Sequence, residues 1–181
     1  YNGRFNQLRY VNPWPVPLQK PHPPVWLAGG GSVETWEMAV NHNYTYSYLS
    51  FFGYHFAKRL MDGFWETSER LGGTFNPYQA GFAQQICVAE TDAKAKEQYL
   101  EHVAYFFSKC LHIPDYYFET PGYRTRRSAE FAIKTGQPGE IAKIATLEKN
   151  WDTLVDTGMI IAGSPATVAD RLTEACKELR V

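Results

Sequence analysis

A chain of 181 residues is long enough to bury one real core and too short for two large domains. With 44% hydrophobic and 20% charged residues it has a globular composition, and a net charge of −1 without a basic block leaves no footprint for nucleic acid or an anionic membrane. No apolar run approaches the roughly 18–20 residues that span a bilayer, no signal peptide is evident, and Cys87, Cys110 and Cys176 have no metal spacing, so reduced thiols in a cytoplasmic protein are expected.

Residues 1–24 form an arm in which "NPWPVPLQKPHPPV" holds six of the eleven prolines. Proline lacks a backbone donor and fixes φ, so the arm is extended, and Trp14 suggests that it lies on a surface. Residues 25–181 read as one domain. Val25–Ala28 is an apolar strand, and from Ser32 the spacing of Trp36, Ala39 and Val40 is helical. The alternating aromatic run Tyr44–Phe52 predicts a second strand. Phe56, Leu60 and Phe64 recur through a helix that ends near Gly72 and Gly73. Gln84–Ala89 predicts a third strand. Thr91 or Asp92 caps a long helix whose apolar face is Tyr99, Val103, Phe106 and Cys110. An inserted loop is expected near 112–127, followed by helices over Ser128–Thr135 and Glu140–Thr153. Met159–Ala162 predicts a fourth strand, and Ser164 with Pro165 opens a last helix carrying Val168, Leu172 and Leu179 inward. The chain begins at Tyr1 and stops at Val181 inside that helical pattern, so it is expected to be a piece of a longer protein.

Strand–helix alternation, repeated about four times, predicts an α/β fold with a parallel sheet. Four such strands make either an open sheet or part of a (β/α)8 barrel, a full barrel needing about 250 residues. Ligands gather at the C-terminal ends of strands in such folds, and Gly29-Gly30-Gly31-Ser32 falls there. Glycine lets a ligand reach the backbone N–H groups, Ser32 caps a helix start, and the hydroxyls of Ser32 and Thr35 share its first turn. A phosphate suits that turn. The alternative is a tight turn with ordinary capping. No Lys follows the last glycine, so the stretch is not a Walker A loop, and Glu34 stands at the last glycine of G-x-G-x-x-G. Ala162-Gly163-Ser164-Pro165 is a rival turn, weakened by the donor that Pro165 lacks.

The stretch "PWPVPLQKPHPPVWLAGGGSVETWEMAV" resembles the central segment of the luciferase-like flavin monooxygenases. In order along the chain, "VAETDAKAKEQ", "PGYRTRRS" and "WDTLVDTGMIIAGSPATVADRLTEACKEL" resemble further segments of that family. The resemblance implies a TIM barrel binding reduced FMN, or in some branches the deazaflavin F420, at the C-terminal ends of its strands. It implies roughly the C-terminal half of that barrel, without the N-terminal strands and the last strand. It carries Gly30, Gly31, Ser32 and Thr35 over as the phosphate contacts. The implied activity is oxygenation of a small organic substrate by reduced FMN and O2. The alternatives are an F420-dependent oxidoreductase of the same fold, or a catalytically inactive truncated half-barrel persisting as an oligomeric scaffold. A phosphate-binding α/β protein outside the family is a weaker alternative. A homo-oligomer, or the missing barrel half, is the expected macromolecular partner.

Tyr46, Tyr48, Phe51 and Phe52 lie on or just after the second strand, where a flat ring stacks or a core packs. Tyr123, Arg124, Arg126 and Arg127 make a basic aromatic stretch, a lid over a phosphate or acidic substrate or else a solvated loop. His22, His42, His55, His102 and His112 have no metal-ligand partners in sequence. His22 reads as structural, and His55 is the best single candidate for acid–base work. No Ser-His-Asp or Cys-His pattern argues for a hydrolase.

Overall fold

The structure, a computed structural model, describes residues 1–12, 14–111 and 122–181. Among the described residues, five short strands are interspersed with helices: β1 Trp26–Gly29, α1 Val33–Asn41, β2 Thr45–Leu49, α2 Tyr54–Arg70, β3 Ala80–Ala83, β4 Gln85–Val88, α3 Asp92–Tyr105, α4 Arg126–Lys134, α5 Gln137–Thr146, α6 Trp151–Asp156, β5 Ile160–Gly163 and α7 Pro165–Leu179. Among the described residues, all pairings between these strands are parallel. β1 lies on β2 with Gly29 opposite Tyr48, β2 on β3 with Tyr48 opposite Phe82, and β4 on β5 with Gln85 opposite Ile160. The fold is α/β, as the alternation predicts.

The expected third strand, Gln84–Ala89, is β4, Gln85–Val88, and a further strand outside the expected set, β3 Ala80–Ala83, runs directly into it. β3 pairs with β2, Gln84 interrupts the ladder, and β4 pairs with β5. The Gln84 side chain fills the break by donating to the Met159 and Gly158 carbonyls at 2.9 and 3.2 Å. A side chain replaces ladder bonds there, a substitution that apolar alternation does not encode.

Side-chain period sorts the sheet faces. Tyr46 and Tyr48 on β2 turn into a core with Trp36, Leu60, Met61 and Phe64. A second cluster joins Cys87, Val103, Trp151, Leu154 and Ile160. Each such buried side chain contributes about 1.5–3 kcal/mol by leaving water. The alternate residues Trp26, Ile86 and Val88 stay on the open face, 62%, 44% and 41% exposed.

Several expected boundaries move. Glu140–Thr153 is not one helix: α5 stops at Thr146 and α6 restarts at Trp151, capped by the Asn150 side chain. The face through Cys110 fails because Phe106–Cys110 is a π turn closed by Leu111 N–H to the Phe106 carbonyl. Its wider turn rotates Cys110 off the α3 face into solvent. α7 ends inside the chain, with Arg180 left-handed at φ 60°. Residues 112–121 of the expected loop, His112 among them, lie outside the described residues. Gly122–Thr125 is non-helical, and α4 opens at Arg126, before Ser128. The proline-rich arm does not press Trp14 or Leu18 onto a surface, for they are 85% and 99% exposed. Among the described residues no helix is long and apolar enough to cross a membrane.

Candidate functional site

A cleft of about 510 Å³ opens at the C-terminal ends of β1 and β2. Its floor is the glycine turn with Ser32 and Thr35, its aromatic wall is Tyr48, Phe51, Phe52 and Phe56, and its far wall is Tyr123–Thr125 with Gln137 and Ile141. The volume lies within the range of small-molecule sites.

The three glycines do different work. Gly30 lines the cleft, and a Cβ there would meet nothing within 4 Å. Gly31 turns inward instead, at φ +103°, where a Cβ would fall 2.6 Å from Leu60 Cδ2. That backbone region favours glycine on its own, and the Leu60 contact removes the remaining room. Tyr46 pins the turn from below, its hydroxyl donating to the Gly29 carbonyl at 3.0 Å while the Gly31 N–H approaches the phenol oxygen. Burial pushes this phenol up to about 12, against smaller pulls from Trp36 and Gly31. Gly31 therefore shapes the turn and does not line the cleft.

Ser32 stands at the N-cap of α1 without a side-chain cap bond. Its hydroxyl donates to Glu34 Oε2 at 3.1 Å. The Ser128 hydroxyl donates to the same oxygen at 2.8 Å, and the Thr125 hydroxyl donates to Glu34 Oε1 at 2.8 Å. Ser128 in turn accepts from the Val33 N–H at 3.0 Å, satisfying one of the helix's free donors from 95 residues away. Burial raises the Glu34 carboxyl, but the hydrogen bonds from Ser128, Thr125 and Ser32, with its own N–H, together outweigh it and leave it below its ordinary value. The expected local capping is thus replaced by a long-range clasp between α1 and α4.

The rival turn is filled from within. Asp92 Oδ1 accepts from the Ser164 N–H at 2.6 Å and the Thr167 hydroxyl at 2.9 Å, and Ser164 caps Thr167 N–H at 3.2 Å. A carboxylate already stands where an anion would sit.

Of the sequence-predicted site residues, Gly30, Ser32, Thr35, Tyr48, Phe51, Phe52, Tyr123 and Arg124 come together around the cleft. His55 does not. It faces outward from α2 and pairs with Glu178 of α7 at 3.1 Å. Arg126 and Arg127 are not lid residues either: they open α4 and pair with Glu130 at 2.8 Å and Glu37 at 2.6 Å. Tyr46 belongs to the core at 0% exposure. Sequence reasoning missed Thr125, Ser128, Gln137 and Ile141. Gly136-Gln137-Pro138, a helix-start signal, was legible as a turn, but nothing local shows that it returns to the glycine turn. Among the described residues no three His, Cys, Asp or Glu side chains gather to hold a metal.

A model of the luciferase-like monooxygenase family matches residues 1–181. No curated protein matches. Among solved structures, the chain is similar to the oxygenating constituent of 3,6-diketocamphane monooxygenase from Pseudomonas putida, a type II Baeyer–Villiger enzyme in complex with FMN. That likeness has a TM-score of 0.58 and 20% identity, covering 87% of this chain and 40% of that one. The monooxygenase RslO1 from Streptomyces bottropensis gives 0.59 and 13% identity over 99% and 45%. The coenzyme F420-dependent tetrahydromethanopterin reductase from Methanopyrus kandleri gives 0.50 and 18% identity over 86% and 42%. The chain therefore spans less than half the length of each of these structures.

Proposed function

Because the chain belongs to the luciferase-like monooxygenase family, we propose that it forms roughly the C-terminal half of a (β/α)8 barrel that oxygenates a small organic substrate with reduced FMN and O2. The carrying observation is the cleft at the strand C-termini, where the glycine turn and two hydroxyls meet an aromatic wall. That donor set fits a phosphate-tailed flat cofactor: open backbone at Gly30, hydroxyls at Ser32 and Thr35, and ring-sized apolar surface at Tyr48, Phe51 and Phe52. A bound reduced flavin supplies the electrons for oxygen chemistry, and the protein supplies orientation and exclusion of water.

In this reading Gly30 lets the phosphate approach the backbone, and Gly31 holds the turn open from behind. Thr35 donates from the first turn of α1. Ser32 donates once its hydroxyl turns away from Glu34. Arg124 and Tyr123 close over the mouth. The open face carrying Trp26, Ile86 and Val88 is covered by the remaining barrel strands or by another copy of the chain, and these complete the ring site.

The neighbour from Methanopyrus kandleri favours one second reading, hydride transfer with F420 in the same cleft without oxygen consumption. The test is anaerobic titration of the purified chain with FMN, oxidised and reduced, and with F420, followed by fluorescence. Saturable FMN binding that weakens about tenfold or more in the Ser32→Ala, Thr35→Ala double variant supports the main reading. Selective F420 binding moves the assignment to the second. Absence of binding at high micromolar concentration of either sinks both for this chain and leaves the scaffold reading.

A further inference from the structure

Two buried polar atoms in residues of the cleft wall have no hydrogen-bond partner among the described residues: the Tyr48 hydroxyl and the Gln137 side-chain nitrogen. Tyr48 is 2% exposed and Gln137 1%. Such atoms are rare in native proteins, because a buried donor gives up water and receives nothing in exchange. Glutamine is also a residue of surfaces. Here it opens α5 directly after the left-handed Gly136, and α5 is held against α2 by the Arg59 guanidinium, which bonds the Thr135 carbonyl at 3.0 Å and the Glu140 carboxylate. The fold thus fixes Gln137 in an interior wall.

Both groups are donors. An amide nitrogen only donates. Burial, the largest influence on Tyr48, keeps its phenol protonated, and the Phe52 backbone N–H approaches its oxygen, so it is the phenolic proton that lacks an acceptor. Phe51, Phe52, Phe56 and Ile141 give the same cleft an apolar part, beside a polar part formed by Ser32, Thr35, Arg124, Thr125 and Ser128. Tyr48 and Gln137 are themselves neutral donors, so they offer an anion no charge in return for its water, while the cationic Arg124 lines the same cleft. An uncharged acceptor loses far less.

We propose that Tyr48 and Gln137 form a carbonyl-recognising wall, donating to a carbonyl oxygen of a neutral, ring-sized, largely apolar molecule packed against Phe51, Phe52 and Ile141. The proposal rests on the cleft being the binding site of the flavin reading, and it names the chemistry that the wall accepts. Two sources present that chemistry: the ring carbonyls of the flavin itself and a ketone or lactone in the organic substrate.

The test uses the whole chain and the variants Tyr48→Phe, Gln137→Leu and their double. Each removes an unpaired polar atom with little change of shape, so thermal unfolding stays at or above the wild-type temperature and controls for folding. Three probes are titrated by calorimetry: FMN, 1-indanone, and indane, which is indanone without its carbonyl. Wild-type preference for indanone over indane by about tenfold, abolished in the double variant, supports the proposal with the substrate as source. A tenfold loss of FMN affinity in the double variant supports it with the flavin ring as source. If the indanone preference is present and variant-sensitive while FMN does not bind the wild type, the wall stands and the flavin reading falls. Unchanged affinities in folded variants, or a wild type that binds neither FMN nor indanone in preference to indane, overturn the proposal.

Discussion

The Ser128 hydroxyl donates to the Glu34 carboxylate at 2.8 Å, joining the first turn of α4 to the first turn of α1. Ser128 is 1% exposed, so deletion of its acceptor leaves a buried hydroxyl to find another partner. Glu34→Ala removes three hydroxyl bonds at once. Glu34 remains partly solvated, which discounts the loss, and the expected cost is about 1 kcal/mol in urea unfolding. The pH dependence has a fixed sign. The folded carboxyl titrates below the ordinary 4.5, so its contribution is complete above that value and fades as pH falls through the lowered one. Wild type and variant should therefore differ at pH 7 and converge in acid.

Glu37 gives a wider window. Hydrogen bonds from Arg127, then Arg70, hold its carboxyl near 2, against a small opposing push from burial. Glu37 thereby ties α4 and α2 to α1, at 2.6 Å and 2.8 Å. Its stabilisation is present above pH 4.5 and lost progressively toward pH 2. Glu37→Gln should lower the midpoint of thermal unfolding at neutral pH and leave it unchanged near pH 2. Because both arginines are more than half exposed, 1 M salt should shrink the neutral-pH difference. A difference that persists at pH 2 would show that the pair is not its origin.

These two carboxylates mark where sequence reasoning stopped. Strand and helix periods place β1, β2, β4, β5, α1, α2, α3 and α7, because those signals are local. The glycine turn was legible as three consecutive glycines between a strand and a helix start; of the two that follow Gly29, Gly31 at φ +103° requires glycine, whereas a Cβ at Gly30 meets nothing within 4 Å. Gln84 and the π turn after Tyr105 were not, since each replaces regular bonding with one that depends on a distant partner or a wider turn. The far wall of the cleft was also invisible. Thr125, Ser128 and Gln137 reach the turn only because α4 and α5 fold back across about a hundred residues, and no spacing rule spans that distance. His55 illustrates the converse, a residue near the site in sequence that the turn of α2 carries away from it.

Gly30 and Gly31 should separate binding from folding. Gly31→Ala places a methyl 2.6 Å from Leu60 Cδ2 at a positive φ, and a cost of about 1–3 kcal/mol is expected in denaturant unfolding. Gly30→Ala meets no atom within 4 Å, so stability should stay within about 0.5 kcal/mol of wild type. The same methyl enters the space assigned to the phosphate, and FMN affinity should fall about tenfold. If Gly30→Ala binds FMN normally, the phosphate does not lie against that residue.

His55 should be silent in binding. Its ring contacts Glu178 at 3.1 Å on the outer side of α2, and it does not line the cleft. His55→Ala is expected to change FMN affinity by less than about twofold. A larger loss, with normal thermal unfolding, would return His55 to the site.

Glu34 also bears on the phosphate itself. Its carboxylate accepts the Ser32 hydroxyl's hydrogen bond at 3.1 Å and adds a negative charge beside the turn where a dianion is proposed to sit. Both effects oppose phosphate binding. Removing the charge while keeping an acceptor for the clasp should therefore tighten binding. For a charge pair several ångströms apart in a partly solvated site, the repulsion is of order 1 kcal/mol, and Glu34→Gln should strengthen FMN binding about three- to tenfold. The gain should be largest at low ionic strength, where screening is weakest. Riboflavin, which has the same ring and no phosphate, supplies the control, and its affinity should not change. Equal gains for FMN and riboflavin would mean that Glu34 acts through the shape of the cleft. No gain for either would place the phosphate away from Ser32, and the binding reading of the turn would have to be abandoned.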